Sequence, residues 1–189
     1  MSSYMSEKRF VHTLGVKNMA SFLGSQLGLD VSELMAAALL HDVAKEIPID
    51  IQIDMLESNG FSLTDEDRAT PGIIHSFSAP IVVRRDFPEF ATPNVLNAIL
   101  FHTVGAPDMS VFEKIIFISD YTEENRIYDS CVSVRKLLLN GFDKLTYDEK
   151  IKRLDEACVA SLEGVFDAIN RAGKLVNSRM IATINSFNS

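Results

Sequence analysis

A chain of 189 residues with 47% apolar content is long enough to bury a core without disulfides or a structural-metal staple, so disorder is not the default reading. Its net charge of −8 argues against a long nucleic-acid backbone as partner, because such binders carry a basic stripe. A small anionic substrate stays open, since a metal ion and a few local cations hold phosphate on an acidic protein.

Helical periodicity runs through nearly the whole chain. Phe10, Leu14, Met19, Phe22 and Leu23 recur near three-to-four spacing, and Gly28 closes that segment. Asp30 with Glu33 reads as a capping-box start before the apolar run 34–40, and Pro48 ends that helix around Lys45. A short helix over about 50–58 stops at Asn59-Gly60, and Thr64 followed by Asp67 marks another start. Pro71 suits the first turn of a helix carrying His75, and Pro80 predicts a break or kink within it. Thr92-Pro93 opens a helix carrying His102, which Gly105 and Pro107 end. A further helix covers 109–121, with Val111, Phe112, Ile115, Ile116 and Ile118 apolar.

From 146 to about 187, Ile151, Leu154, Cys158, Leu162, Phe166, Ile169 and Val176 keep helical spacing, with a break near Gly173. That face serves core packing, or in the sharper alternative a homodimer contact. No alternating strand pattern, repeat or low-complexity linker appears. The expectation is a single all-α domain over 1–189. Residues 1–10 lack an apolar signal core, and no apolar run approaches the ~18 residues of a membrane span. Cys131 and Cys158 form no metal-type pair and read as reduced thiols. The expected compartment is the cytoplasm, with neither membrane nor nucleic acid as partner.

The chain holds four histidines, His12, His41, His75 and His102, each on or beside a predicted helix. His41 is followed directly by Asp42 at the end of an apolar helix. An imidazole and a carboxylate buried there cost several kcal/mol without partners, roughly 2–7 for even a neutral polar group, and a divalent cation partners both. Adjacent helical residues point about 100° apart, so both reach one ion only if it sits off the helix end. Other helices must then supply the remaining ligands, and His12, His75, His102 and Asp120 lie on four of them. Asp120 stands out as a charge in the apolar string Ile115-Ile116-Phe117-Ile118-Ser119-Asp120-Tyr121. Imidazole with carboxylate suits Fe, Mn or Zn, and no thiolate lies near the set to build a closed zinc site. Six ligands exceed one tetrahedral ion and suit two ions sharing a carboxylate, for which Asp42 is the candidate. Such a site hydrolyses phosphate esters or anhydrides with water acidified by the metals.

The order His12, His41-Asp42, His75, His102, Asp120 resembles the HD superfamily of metal-dependent phosphohydrolases. The strings Arg9-Phe10-Val11-His12-Thr13-Leu14-Gly15-Val16, His41-Asp42-Val43-Ala44-Lys45 and Phe101-His102-Thr103-Val104-Gly105, with the stretch from Met109 to Arg126, are similar to one branch, the YqeK-type bacterial hydrolases. The likeness extends over roughly 5–185 and is most specific up to Arg126. It implies an HD-domain helical bundle that cleaves diadenosine tetraphosphate symmetrically into two ADP, with iron-type metals. By position, His12, His41, Asp42 and Asp120 bind one ion, and His75 and His102, with Asp42 shared, bind the second. Asp42 and Lys45 take the catalytic roles. Lys45, Thr103 and Arg126 contact the substrate, the guanidinium matching phosphate oxygens. Two strings depart from that branch. Ser76-Phe77-Ser78-Ala79-Pro80 after His75 is expected to reshape the pocket beside the second ion, and Glu123-Glu124 to add negative charge near its mouth. A phosphohydrolase of another nucleotide, such as a dNTP or a guanine alarmone, and a nucleotide-binding domain without turnover are the alternatives.

Overall fold

Side-chain caps start most of the helices in this computed structural model, which describes residues 4–187. Ser6 accepts from the Arg9 N–H at the head of α1 (Glu7–Leu27), which ends at Gly28. Asp30 accepts from the N–H groups of Ser32 and Glu33 to open α2 (Val31–Leu40). Then come α3 (Ile49–Ser58), α4 (Asp65–Ala69), α5 (Ile74–Asp86) and α6 (Pro93–Phe101), and after them α7 (Val111–Thr122) and α8 (Asp129–Leu139). The last two are α9 (Tyr147–Arg171) and α10 (Ser178–Phe187). Reciprocal capping boxes at Thr64, Ser110 and Thr146 fix the starts of α4, α7 and α9. Among the described residues there is no strand, and no helix is long and apolar enough to cross a membrane.

One principal core joins these helices. Val16, Ala20 and Leu23 of α1 meet Leu34, Ala37 and Ala38 of α2. Ile99 of α6 and Ile115, Ile116 and Ile118 of α7 complete the same cluster. α9 lays Leu154, Cys158 and Leu162 against it, so its apolar face packs on α7 and α8. Each such side chain contributes about 1.5–3 kcal/mol by leaving water. Cys131 and Cys158 are both buried and free.

Several expectations need correction. The buried face of α1 is Val16, Ala20, Leu23 and Leu27, while Phe10 and Phe22 stay exposed. The small residues permit close approach to α2, which the larger ones would block. Pro80 does not break α5, because every residue from Ile74 to Pro80 is buried and tertiary packing outweighs the missing donor. α8 was not anticipated. Its buried positions Cys131, Val134 and Leu138 are interleaved with Ser, Arg and Lys, and Tyr128 supplies no side-chain cap. The segment after α9 is a longer interruption than one glycine, and α10 is a separate helix.

α2 stops at Leu40 rather than Lys45. The His41 Nδ1–H donates to the Ala38 carbonyl at 2.6 Å, the acceptor that the Asp42 N–H would need to continue the helix. Tight turns follow, with Val43 N–H donating to Leu40 O and Lys45 N–H to Asp42 O.

α10 folds back over α4 and the loop after α6. Thr183 Oγ1 donates to the Val104 carbonyl at 2.9 Å. Gly105 sits at φ 69°, and a Cβ there would lie 2.5 Å from Thr183 Cγ2, so only glycine serves. The Arg179 guanidinium donates twice to Asp67 at 3.0 Å, and Asn177 adds a contact to the same carboxylate. The Arg179 bonds hold the Asp67 carboxyl well below the usual range, against its burial. Asp67→Ala is therefore expected to lower unfolding stability at neutral pH by about 2 kcal/mol in a denaturant melt. Because the folded pKa is depressed, the wild-type advantage is complete above about pH 4 and declines as pH falls below it.

Candidate metal centre

Five helices and one helix-ending turn aim imidazoles and carboxylates at one point. α1 carries Arg9 and His12 three residues apart, hence on one face. His41 and His102 are the C-caps of α2 and α6, Asp42 lies in the turn after α2, His75 opens α5, and Asp120 lies in the last turn of α7. Three helix C-termini thus converge, and each presents partial negative charge that favours a cation.

All six ligand candidates come together. Asp42 Oδ2 lies 3.4 Å from His41 Nε2 and 3.8 Å from His12 Nε2. Asp42 Oδ1 lies 3.2 Å from His75 Nε2 and 3.6 Å from His102 Nε2. Each carboxylate oxygen therefore faces its own pair of imidazoles. Asp120 Oδ1 is 3.0 Å from His12 Nε2 and 4.0 Å from His41 Nε2. Three triads have donor atoms within 4.8 Å of one another: His12, His41 and Asp42; Asp42, His75 and His102; and His41, His102 and Asp120.

The ring tautomers suit a metal. The Nδ1–H groups of His41 and His102 donate to the Ala38 and Ile99 carbonyls, both at 2.6 Å. A carbonyl only accepts, so Nδ1 holds the proton and Nε2 presents its lone pair inward. His12 Nδ1 lies 3.1 Å from Glu123 Oε1, the carboxylate–histidine arrangement that raises ligand basicity. His12 Nε2 and His41 Nε2 are buried without a hydrogen bond of acceptable geometry. Orphaned inward nitrogens beside two carboxylates form a cluster able to bind a metal.

The electrostatics agree. Burial alone would lower the His12 pKa, yet the Asp120 and Glu123 carboxylates beside its two ring nitrogens raise it to about 9. Asp42 is driven up by burial, but the imidazoles of His41, His102 and His75 around it hold it well below the ordinary range. The cluster attracts positive charge, and a cation takes the place of the proton. His75 is driven down to about 4, chiefly by burial, and so is neutral at pH 7.

Cations surround the carboxylates. Arg9 Nη1 donates to Asp42 Oδ2 at 2.7 Å, and Arg126 Nη2 to Asp120 Oδ1 at 2.7 Å. Lys45 Nζ lies 3.2 Å from both ring nitrogens of His75. Thr103 Oγ1 donates to Ser76 Oγ, and Thr103 borders a cavity of about 510 Å³ that also touches His102, Asp120 and Arg126.

Two expectations change here. Ser76, Phe77 and Ser78 do not line that cavity: Ser76 receives Thr103, Phe77 stacks on Phe61, and Ser78 donates to Gln52. Glu123 is buried against His12 at the edge of a second cavity, and only Glu124 stays exposed. Sequence reasoning missed its role and that of Arg9. The available signal was spacing, since Glu123 follows Asp120 by three residues and Arg9 precedes His12 by three. Gly15 makes the Glu123 contact possible, because a Cβ there would lie 2.2 Å from Glu123 Oε2.

A family model described as HD domain matches residues 9–125. The chain belongs to the HD-domain family. Among its HD-domain relatives, a symmetrical bis(5'-nucleosyl)-tetraphosphatase of Bacillus subtilis (strain 168) is 35% identical over 135 residues, 70% of each chain. A protein of the same name from Halalkalibacterium halodurans is 34% identical over 146 residues, 73% of this chain and 74% of that one. A crystal structure described as a predicted HD superfamily hydrolase involved in NAD metabolism, from Clostridium acetobutylicum, superposes with a TM-score of 0.86 at 29% identity, over 98% of this chain and 92% of that one.

Glu123→Gln and Gly15→Ala are both expected to weaken metal affinity by about 10- to 100-fold in equilibrium dialysis, by loosening the hold on His12. Unchanged affinity in both would remove Glu123 from the site.

Proposed function

We propose that this chain hydrolyses dinucleoside polyphosphates, and diadenosine tetraphosphate best, with water attacking an internal phosphorus. One phosphoanhydride bridge breaks, and two ADP leave. One observation carries the reading: the two oxygens of Asp42 face two different pairs of imidazoles. That placement suits two ions sharing one carboxylate, His12, His41 and Asp120 completing one set and His75 and His102 the other. The names of the relatives support the substrate. Iron is the proposed native metal, with Mn or Zn as substitutes, because the donors mix imidazole with carboxylate. When bound, such ions acidify water and neutralise charge on the phosphate oxygens.

The chain's own residues do the rest. Asp42 is held by Arg9 and four imidazoles, so its oxygens are oriented before substrate arrives. The carboxylates Asp42, Asp120 and Glu123 are matched by Arg9, Lys45 and Arg126. Divalent ions then leave net positive charge, which a polyphosphate chain offsets. Lys45 and Arg126 turn to the phosphates, Arg126 with a fork suited to their oxygens. Thr103, on the cavity wall beside His102, orients the substrate. We treat the whole chain as one functional domain, with α9 and α10 closing the side that the matched region 9–125 leaves open.

Purified protein given diadenosine tetraphosphate and Fe(II) or Mn should release ADP as the sole nucleotide product. AMP together with ATP would reject symmetric cleavage. His41→Ala and Asp42→Ala should each lose metal and lower kcat/KM by more than about 100-fold, beyond the loss typical of an outer-shell partner. Full activity in both would reject the ligand assignment.

A further inference from the structure

Two separate cavities flank the metal cluster, and the loop from α7 to α8 stands between them. The first, of about 510 Å³, touches the cluster through His102 and Asp120 and has apolar walls that include Phe117, Leu162 and Ile169. The second, of about 750 Å³, touches it through His12 and has Arg9, Val11 and Ile127 on its walls. Arg126 and Tyr128 border both. Each volume falls within the ~300–1,000 Å³ typical of small-molecule sites. A third cavity, beside Phe61 and Phe77, borders none of the cluster residues.

The geometry points to paired nucleoside subsites, one cavity for each end of a dinucleoside polyphosphate, with Tyr128 as their shared wall. This assignment rests on the proposed substrate and deepens it. The phosphate chain would cross the cluster between two arginines, Arg9 on the Asp42 side and Arg126 on the Asp120 side. Tyr128 is 69% exposed and Ile127 82% exposed, immediately after Arg126. Tyr128 caps α8 without a side-chain bond and belongs to neither hydrophobic core. An exposed ring next to a phosphate-facing guanidinium is a platform for base stacking, which contributes about 1–3 kcal/mol per base. The two ends are not equivalent. The cavity beside α9 has the more apolar walls, while the one beside α1 carries Glu7, Lys8, Glu46 and Glu123 besides Arg9.

The direct test is ADP stoichiometry on the Mn-loaded protein by calorimetry, expected at two per chain. Val11 is 47% exposed and borders only the second cavity, so Val11→Trp fills that cavity without touching the core. It should bind one ADP. Adenosine 5'-tetraphosphate offers the same phosphate chain with one nucleoside, and its cleavage yields ADP and pyrophosphate. The wild type should favour the two-ended substrate by about tenfold in kcat/KM, and Val11→Trp should abolish that preference. Tyr128→Ala should raise KM for the two-ended substrate by about fivefold or more with kcat little changed. One ADP per wild-type chain, or an undiminished preference in Val11→Trp, would overturn the paired subsites while ADP formation left the proposed activity standing. A wild type that forms no ADP from diadenosine tetraphosphate would overturn the activity itself.

Discussion

Asp42 is a carboxylate 3% exposed at the end of a helix whose last turn already presents partial negative charge. Burying such a group without compensation costs several kcal/mol in real proteins, which is a large share of the stability of a domain this size. Every nearby feature answers that constraint. Arg9 reaches it from α1, two imidazoles stand at each oxygen, and two of those imidazoles have their outer nitrogens tied to backbone carbonyls. The ring protons are thereby fixed on the outside and the lone pairs on the inside. The result is a buried cluster of carboxylate oxygens and inward lone pairs that is able to bind a metal ion.

The same device is used twice. His41 and His102 each follow a pair of apolar residues at a helix end and each donate to the carbonyl three residues back. This bond ends the helix and aims Nε2 away from it. A second layer supports the first: Glu123 orients His12, and Gly15 leaves the space that Glu123 occupies. Arg126 then ties Asp120 to the loop between α7 and α8, the loop that divides the two flanking cavities. One short stretch, from Asp120 to Tyr128, thus carries a ligand candidate and the wall that both cavities share.

Much of this was legible in the sequence. The caps at Asp30, Thr64 and Thr92 and the end at Gly28 carry local rules that tertiary structure did not override, whereas α6 stops at Phe101, short of Gly105, through the His102 bond. The ligand candidates were legible because histidine is scarce here and a charged Asp120 interrupts an apolar run. What was not legible depended on packing. The buried face of α1 uses small residues beside Leu23 and Leu27, so hydrophobicity gave undue weight to the exposed Phe10 and Phe22. Pro80 is carried inside α5 by burial that no local pattern announces. Glu123 looked like surface charge, since only the fold reveals that α1 passes over it with a glycine at the crossing.

Crystals grown with manganese would test the central claim most directly, through an anomalous difference map. The account predicts two peaks roughly 3.5–4 Å apart, one on each side of the Asp42 carboxylate. A single peak bound by histidines without Asp42, or no peak near this carboxylate, would contradict it.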